Sequence, residues 1–129
     1  LQQKFGNNLL AETNAFQLVL ESEEDLVGLP EAVRTAAAEA AKAAGMEGKW
    51  LIGLQNPSRI PFLQYSERRD LREKVYKAYI ERGNNGNEND NKEIVLQIMK
   101  LRIEKANLLG FETSADFILD DTMAKNQTL

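Results

Sequence analysis

Histidine and cysteine are both missing from these 129 residues. Without cysteine there is no disulfide framework and no thiol chemistry. Zinc sites draw on His and Cys, so the composition argues against a transition-metal site built by this chain alone. A Ser-His-Asp arrangement is excluded outright. Long apolar runs are missing too, and nothing approaches the roughly 20 residues of a membrane span. Leu1-Gln2-Gln3-Lys4-Phe5 has no signal-peptide anatomy and no initiating Met. Together with an ending that carries no helix terminator, this reads as a stretch cut from a longer protein. Positive charge is not in excess: the net charge is −4 and acids alternate with bases. That argues against nucleic acid as the main partner. What remains is an ordinary globular composition, 43% hydrophobic and 28% charged, long enough for one domain with a real core.

Periodicity predicts a mainly α, multihelical chain with a minor two-strand β element near 15–21 and 49–55. Leu1, Phe5 and Leu9 form a helical stripe over residues 1–13, weakened by Gly6, Asn7 and Asn8. Phe16, Leu18 and Leu20 alternate as a strand. Ser22 with Asp25 resembles a capping box for one short turn, stopped by Gly28. Pro30 suits a first helical position. An Ala-rich helix follows, with Val33, Ala36, Ala37, Ala40, Ala41 and Ala44 expected inward and Gly45 at its end. Trp50, Ile52 and Leu54 share one face of a second strand. Two strands bracketing a helix favour a parallel pair.

Beyond Asn56 the chain reads as helical. Asn56 and Pro57 have N-cap and first-position chemistry, and Pro61 predicts a kink or a fresh start. Ile60, Phe62, Leu63 and Tyr65 are expected to fix this corner against the core. Ser66 is expected to cap a helix to about Arg82, with Leu71, Val75, Ala78 and Tyr79 on its inner face. Asp90 with Glu93 predicts the cap of the next helix. Ile94, Ile98, Leu101 and Leu108 are its expected buried stripe, widened by Val95, Met99, Ala106 and Leu109. Gly110-Phe111 reads as a Schellman ending, and Thr113 with Asp116 as a capping box before a helix carrying Phe117, Ile118 and Met123.

Each feature that invites chemistry has a plainer structural reading. Asn85, Asn87, Asn89, Asp90 and Glu93 hint at a calcium loop. An EF-hand, however, needs Gly at position 6 and Glu at position 12, where counting from Asn85 gives Asp90 and Leu96. The loop reads as solvated turn chemistry. Glu23-Glu24 and Asp120-Asp121 are paired carboxylates without a visible cleft, and acids in a first turn complement the helix dipole. Arg68, Arg69, Arg72, Lys74 and Lys77 form a basic run diluted by Glu67, Asp70, Glu73 and Glu81, as on a salt-bridged helix face. Trp50, Tyr65, Tyr76 and Tyr79 read as packing residues rather than a peptide groove. Asn126-Gln127-Thr128 fits a glycosylation acceptor.

The order of short motifs goes further. Asp25-Leu26-Val27-Gly28-Leu29-Pro30 is followed by Gly48-Lys49-Trp50, Leu54-Gln55-Asn56-Pro57-Ser58, Pro61-Phe62-Leu63-Gln64-Tyr65 and Leu71-Arg72-Glu73-Lys74. Then come Asn89-Asp90-Asn91, Leu101-Arg102, Lys105-Ala106, Leu108-Leu109-Gly110-Phe111, Ala115-Asp116-Phe117 and Met123-Ala124-Lys125. This succession, from about Phe16 to Lys125, resembles the thimet oligopeptidase and peptidyl-dipeptidase family of zinc metallopeptidases, most closely its bacterial peptidyl-dipeptidase branch.

The resemblance implies a large helical peptidase with two lobes around a channel, cleaving peptides near an end. It implies zinc held by a His-Glu-x-x-His helix and a further Glu, with the motif Glu as general base. None of these residues can be carried onto this chain, which has no His. No catalytic, cofactor-binding or metal-binding residue is therefore expected here, and zinc is expected only in the parent protein. On this reading residues 1–129 are one piece of the non-catalytic region N-terminal to the catalytic helix, scaffold and channel wall. Its partners are the remainder of the peptidase and, in the parent, short peptides, with no nucleic acid and no membrane. The resemblance leaves the compartment open between the cytoplasm and the periplasm of a bacterium. The alternative reading is a free-standing helical interaction module without enzymatic activity.

Overall fold

A computed structural model describes residues 1–128. Six helices and two short strands follow one another: α1 (Gln2–Ala15), β1 (Leu18–Leu20), a 3-10 turn (Glu23–Leu26), α2 (Glu31–Ala43), β2 (Trp50–Ile52), α3 (Asn56–Tyr65), α4 (Arg69–Ile80), α5 (Lys92–Leu108) and α6 (Ser114–Leu119). They fall into two compact units. One is Asn7–Asp90; the other combines Leu1–Gly6 with residues from Asn91 onward.

In the unit Asn7–Asp90, β1 and β2 pair antiparallel, with Leu18 opposite Ile52 and Leu20 opposite Trp50. This corrects the parallel expectation. That expectation assumed a single crossover helix, but the connection holds two helical pieces, the 3-10 turn and α2, with a glycine corner between them. The rule for a single crossover connection therefore does not apply. Leu20, Leu26, Leu29, Ala37, Ile52, Leu54, Phe62, Leu71 and Val75 form one buried cluster. Fully burying a side chain of this size contributes about 1.5–3 kcal/mol. The core is thus drawn from both strands, the 3-10 turn and three helices.

The inner stripe of α2 is narrower than the alanine pattern implied. Ala37 and Ala41 are buried and Val33 is half-buried, but Ala36, Ala40 and Ala44 face solvent. A single i, i+4 line meets the sheet, and alanines one step round the helix miss it. The end of α2 is a full Schellman motif: the Gly45 N–H donates to Lys42 O (3.0 Å) and the Met46 N–H to Ala41 O (2.8 Å).

Several caps sit one or more residues from their expected place. Pro30 is the N-cap of α2, not its first helical residue. Gln55 is the N-cap of α3, which puts Asn56 and Pro57 inside the helix. Helix α3 passes through Pro61 without restarting. Its first turn is anchored by Ser58 and Arg59 N–H bonds to Gln55 O (3.0 and 2.9 Å), and Phe62 is completely buried. Those contacts outweigh the one backbone bond that proline removes. Of the corner's expected anchors, Phe62 is buried and Leu63 half-buried, but Ile60 and Tyr65 are largely exposed. Ser66 is buried at the end of α3, and its Oγ accepts from the Arg68 N–H (3.3 Å), so it forms the turn before α4 rather than its N-cap. Helix α4 ends at Ile80, earlier than expected.

The corner at Gly28 is a close approach. Gly28 has φ +87, and a Cβ there would lie 2.2 Å from Tyr65 O. The Glu67 N–H donates to the neighbouring Val27 O (3.0 Å), tying this corner to the α3–α4 junction. Ser22 makes no capping bond; Asp25 instead accepts from the Glu21 N–H (3.4 Å).

In the other unit, α5 begins at an Asn91 N-cap that makes no side-chain capping bond. The N-cap is thus one residue later than Asp90, whose Oδ2 accepts from the Gly86 N–H (2.8 Å). Asn91 is buried, and its Nδ2 donates to Phe5 O (3.1 Å). The Schellman ending is as expected, with Gly110 N–H to Asn107 O (3.1 Å) and Phe111 N–H to Ala106 O (2.9 Å). The Thr113–Asp116 capping box is also complete. Phe111 meets Phe117 edge-on at 5.5 Å. The buried stripe of α5 is where expectation fails: only Ile94 and Ala106 are buried. Val95, Leu96, Met99, Leu101, Ile103 and Leu108 stay exposed, Leu108 at 87%.

Candidate functional site

Several of the residues that invited chemistry are engaged in holding the fold. In the Asn-rich loop, Asn85 Nδ2 donates to Glu12 Oε2, and Asn87 Nδ2 to Glu12 Oε1 (2.7 Å). The amide of Asn87, with help from Asn85 and Asn89, holds the Glu12 carboxyl below its ordinary range. The loop is clamped to α1 by its own amides, with no cation needed.

The basic run is threaded with carboxylates and carbonyls. Arg68 pairs with Asp25 (2.6 Å) and Asp70 (2.9 Å). Asp70, then Asp25, raise the Arg68 guanidinium further, and Arg68 holds Asp70 low. Arg72 Nη1 donates to Ser66 O (2.9 Å). Lys77 pairs with Glu73 one turn away, raising the one and lowering the other. Glu23, Glu24, Asp120 and Asp121 are exposed, and Glu23 lies 3.9 Å from Arg34. Asn126 Oδ1 accepts from the Thr128 N–H (2.9 Å).

The aromatic residues separate. Trp50 packs half-buried on the core, whereas Tyr65 and Tyr76 are exposed. Tyr79 has a role the sequence did not announce. The Arg59 guanidinium carbon sits 3.4 Å from its ring centroid and that of Arg82 3.9 Å. Arg82 is anchored by Nε to Tyr79 O (2.9 Å) and Nη1 to Thr13 Oγ1 (2.7 Å). Arg59 is only 8% exposed and donates Nη2 to Asn56 Oδ1 (2.8 Å). Arg59 and Asn56 stand three apart on α3, Tyr79 and Arg82 three apart at the end of α4, so helical spacing creates both pairings. That spacing was the available signal.

The sequence pattern of Peptidase family M3 matches residues 62–129. The chain belongs to this family. Its relatives include oligopeptidase A of Haemophilus influenzae, 38% identical over 98% of this chain and 19% of that protein. Dipeptidyl carboxypeptidase of Escherichia coli is 35% identical over 97% of this chain and 18% of that protein. The organellar oligopeptidase A of Arabidopsis thaliana is 38% identical over 96% and 16%. The chain therefore spans less than a fifth of the length of these relatives.

The family implies zinc, and the residues of this chain do not fit it. There is no His or Cys, and among the described residues no three or more Asp or Glu converge where they could hold a metal. No described helix is long and apolar enough to cross a membrane.

Proposed function

We propose that this chain is a scaffold segment from the non-catalytic N-terminal region of a zinc-dependent peptidase that hydrolyses short peptides. The zinc ligands and general base belong to the remainder of that peptidase, and this chain supplies structure and a stretch of the channel wall. One observation carries the reading beyond family membership: α5 is apolar on several sides, yet only Ile94 and Ala106 are buried. Large apolar side chains left uncovered along one helix mark a surface that a partner buries. The rest of the peptidase is the partner that covers it.

The test is to compare the 129-residue chain with the reading frame extended past Leu129. The extended protein should encode a His-Glu-x-x-His pattern, bind zinc by elemental analysis and cleave peptides until a chelator is added. The 129-residue chain should bind no stoichiometric zinc and cleave nothing. Chelator-sensitive peptidase activity in the short chain overturns the proposal. A stop codon soon after Leu129 favours a free-standing interaction module, for which the same exposed α5 face supplies the docking surface.

A further inference from the structure

Arg59 has a hydrogen-bonding capacity that its own fold leaves incomplete. Its Nη2 donates to Asn56 and its plane lies on Tyr79, but Nη1 is buried and has no acceptor. Buried charges are as a rule paired, because an unsatisfied charged donor loses its hydration without replacement. Among the described residues neither Arg59 nor Arg82 has a carboxylate within ion-pair distance. Two guanidiniums thus share one aromatic ring with no counter-charge between them. Beside them lies a shallow, solvent-open cavity of about 430 Å³ lined by Arg59, Ile60, Leu63, Gln64, Tyr76 and Tyr79. That volume falls within the range of small-ligand sites.

We propose that this cavity is a carboxylate-binding site, with Arg59 as its anion-recognising residue and an apolar-bodied carboxylate as its ligand. A planar guanidinium matches a carboxylate in a forked pair, and its stacking on Tyr79 presets its orientation. Ile60, Leu63 and the ring of Tyr76 supply apolar walls for the body of the ligand, and Gln64 brings an amide. The carboxylate has two sources, a peptide's chain terminus or an acidic side chain. The proposal rests on the geometry of this unit alone and stands whether or not the parent protein is a peptidase.

The test is titration of the 129-residue chain with N-acetyl-leucine, N-acetyl-leucinamide and the α-amide of N-acetyl-glutamate, following the Arg59 side-chain N–H signals by NMR. The two carboxylates differ in source: tighter binding of N-acetyl-leucine marks a chain-terminus site, and tighter binding of the glutamate derivative a side-chain site. Either carboxylate should move the Arg59 signals saturably, and the leucinamide should not. Arg59→Gln, if its circular dichroism is unchanged, should weaken binding at least tenfold. If Arg59→Gln fails to fold, the exposed Tyr76 serves instead, and Tyr76→Ala should weaken binding at least threefold. No saturable shift with either carboxylate, an equal shift with leucinamide, or unchanged binding in the deciding variant overturns the proposal.

Discussion

Glu12 shows how a single carboxylate organises a polar loop. Its two oxygens take the side-chain amides of Asn85 and Asn87, and those bonds favour the ionised form, holding the carboxyl low. A depressed folded-state value stabilises the fold above the unfolded value and ceases to do so as pH falls through the folded one. The clamp is therefore intact at neutral pH and fades below the ordinary glutamate value of about 4.3. Glu12→Gln should cost about 1 kcal/mol at pH 7, given that the site is partly solvated. That difference should shrink as pH falls below the ordinary glutamate value. Urea unfolding of both proteins from pH 7 into the acid range measures it; a difference that does not shrink with acid refutes the clamp as an ionic one. The same scale holds what the sequence hid. Arg59 looks like an ordinary surface cation until α3 and α4 bring it to Tyr79, and no spacing rule within one helix reports a contact between two, whereas the Tyr79–Arg82 contact follows from i, i+3 spacing.

At the scale of elements, glycines at helix ends and corners differ in kind. Gly45 has φ +77 but open space around its Cβ position, whereas Gly28 combines φ +87 with a backbone oxygen 2.2 Å from where a Cβ would be. Gly45→Ala should cost about 1–2 kcal/mol, the left-handed penalty alone. Gly28→Ala should cost at least about 2 kcal/mol more than that, because Tyr65 O belongs to the backbone and cannot swing aside. Thermal unfolding of the two variants ranks them, and equal losses would mean the corner yields. Element types were legible because they follow local rules: the Schellman endings at Gly45 and Gly110 and the Thr113 capping box are written in adjacent residues. Cap positions slipped where proline chemistry suits neighbouring sites almost equally, as at Pro30 and Asn56-Pro57. Strand direction was not legible, because it depends on how the 3-10 turn and α2 turn the chain between β1 and β2. The buried stripe of α5 was misjudged for a related reason: periodicity reveals an apolar face but not whether this stretch of chain supplies its cover.

For the whole molecule the uncovered α5 has a direct consequence in solution. Contiguous apolar surface on an isolated chain promotes association. Leu96, Met99 and Ile103 follow one side of α5, and Leu101 and Leu108 another. Light scattering at rising concentration should show the 129-residue chain self-associating, and Leu96→Glu with Ile103→Glu should shift it towards monomer. A strict monomer at high concentration would count against α5 as an interior helix.

The buried cluster of the Asn7–Asp90 unit also sets a timetable. Leu20 and Leu26 lie early in the chain, but Phe62, Leu71 and Val75 complete their surroundings. During synthesis both strands emerge before the last residues that bury them, and a unit of this kind folds only once its last core residue is free. Until α4 leaves the ribosome, Leu20 and Ile52 remain open to solvent and to chaperones. A product that ended before α4 would carry Leu20 and Ile52 with their cover unfinished.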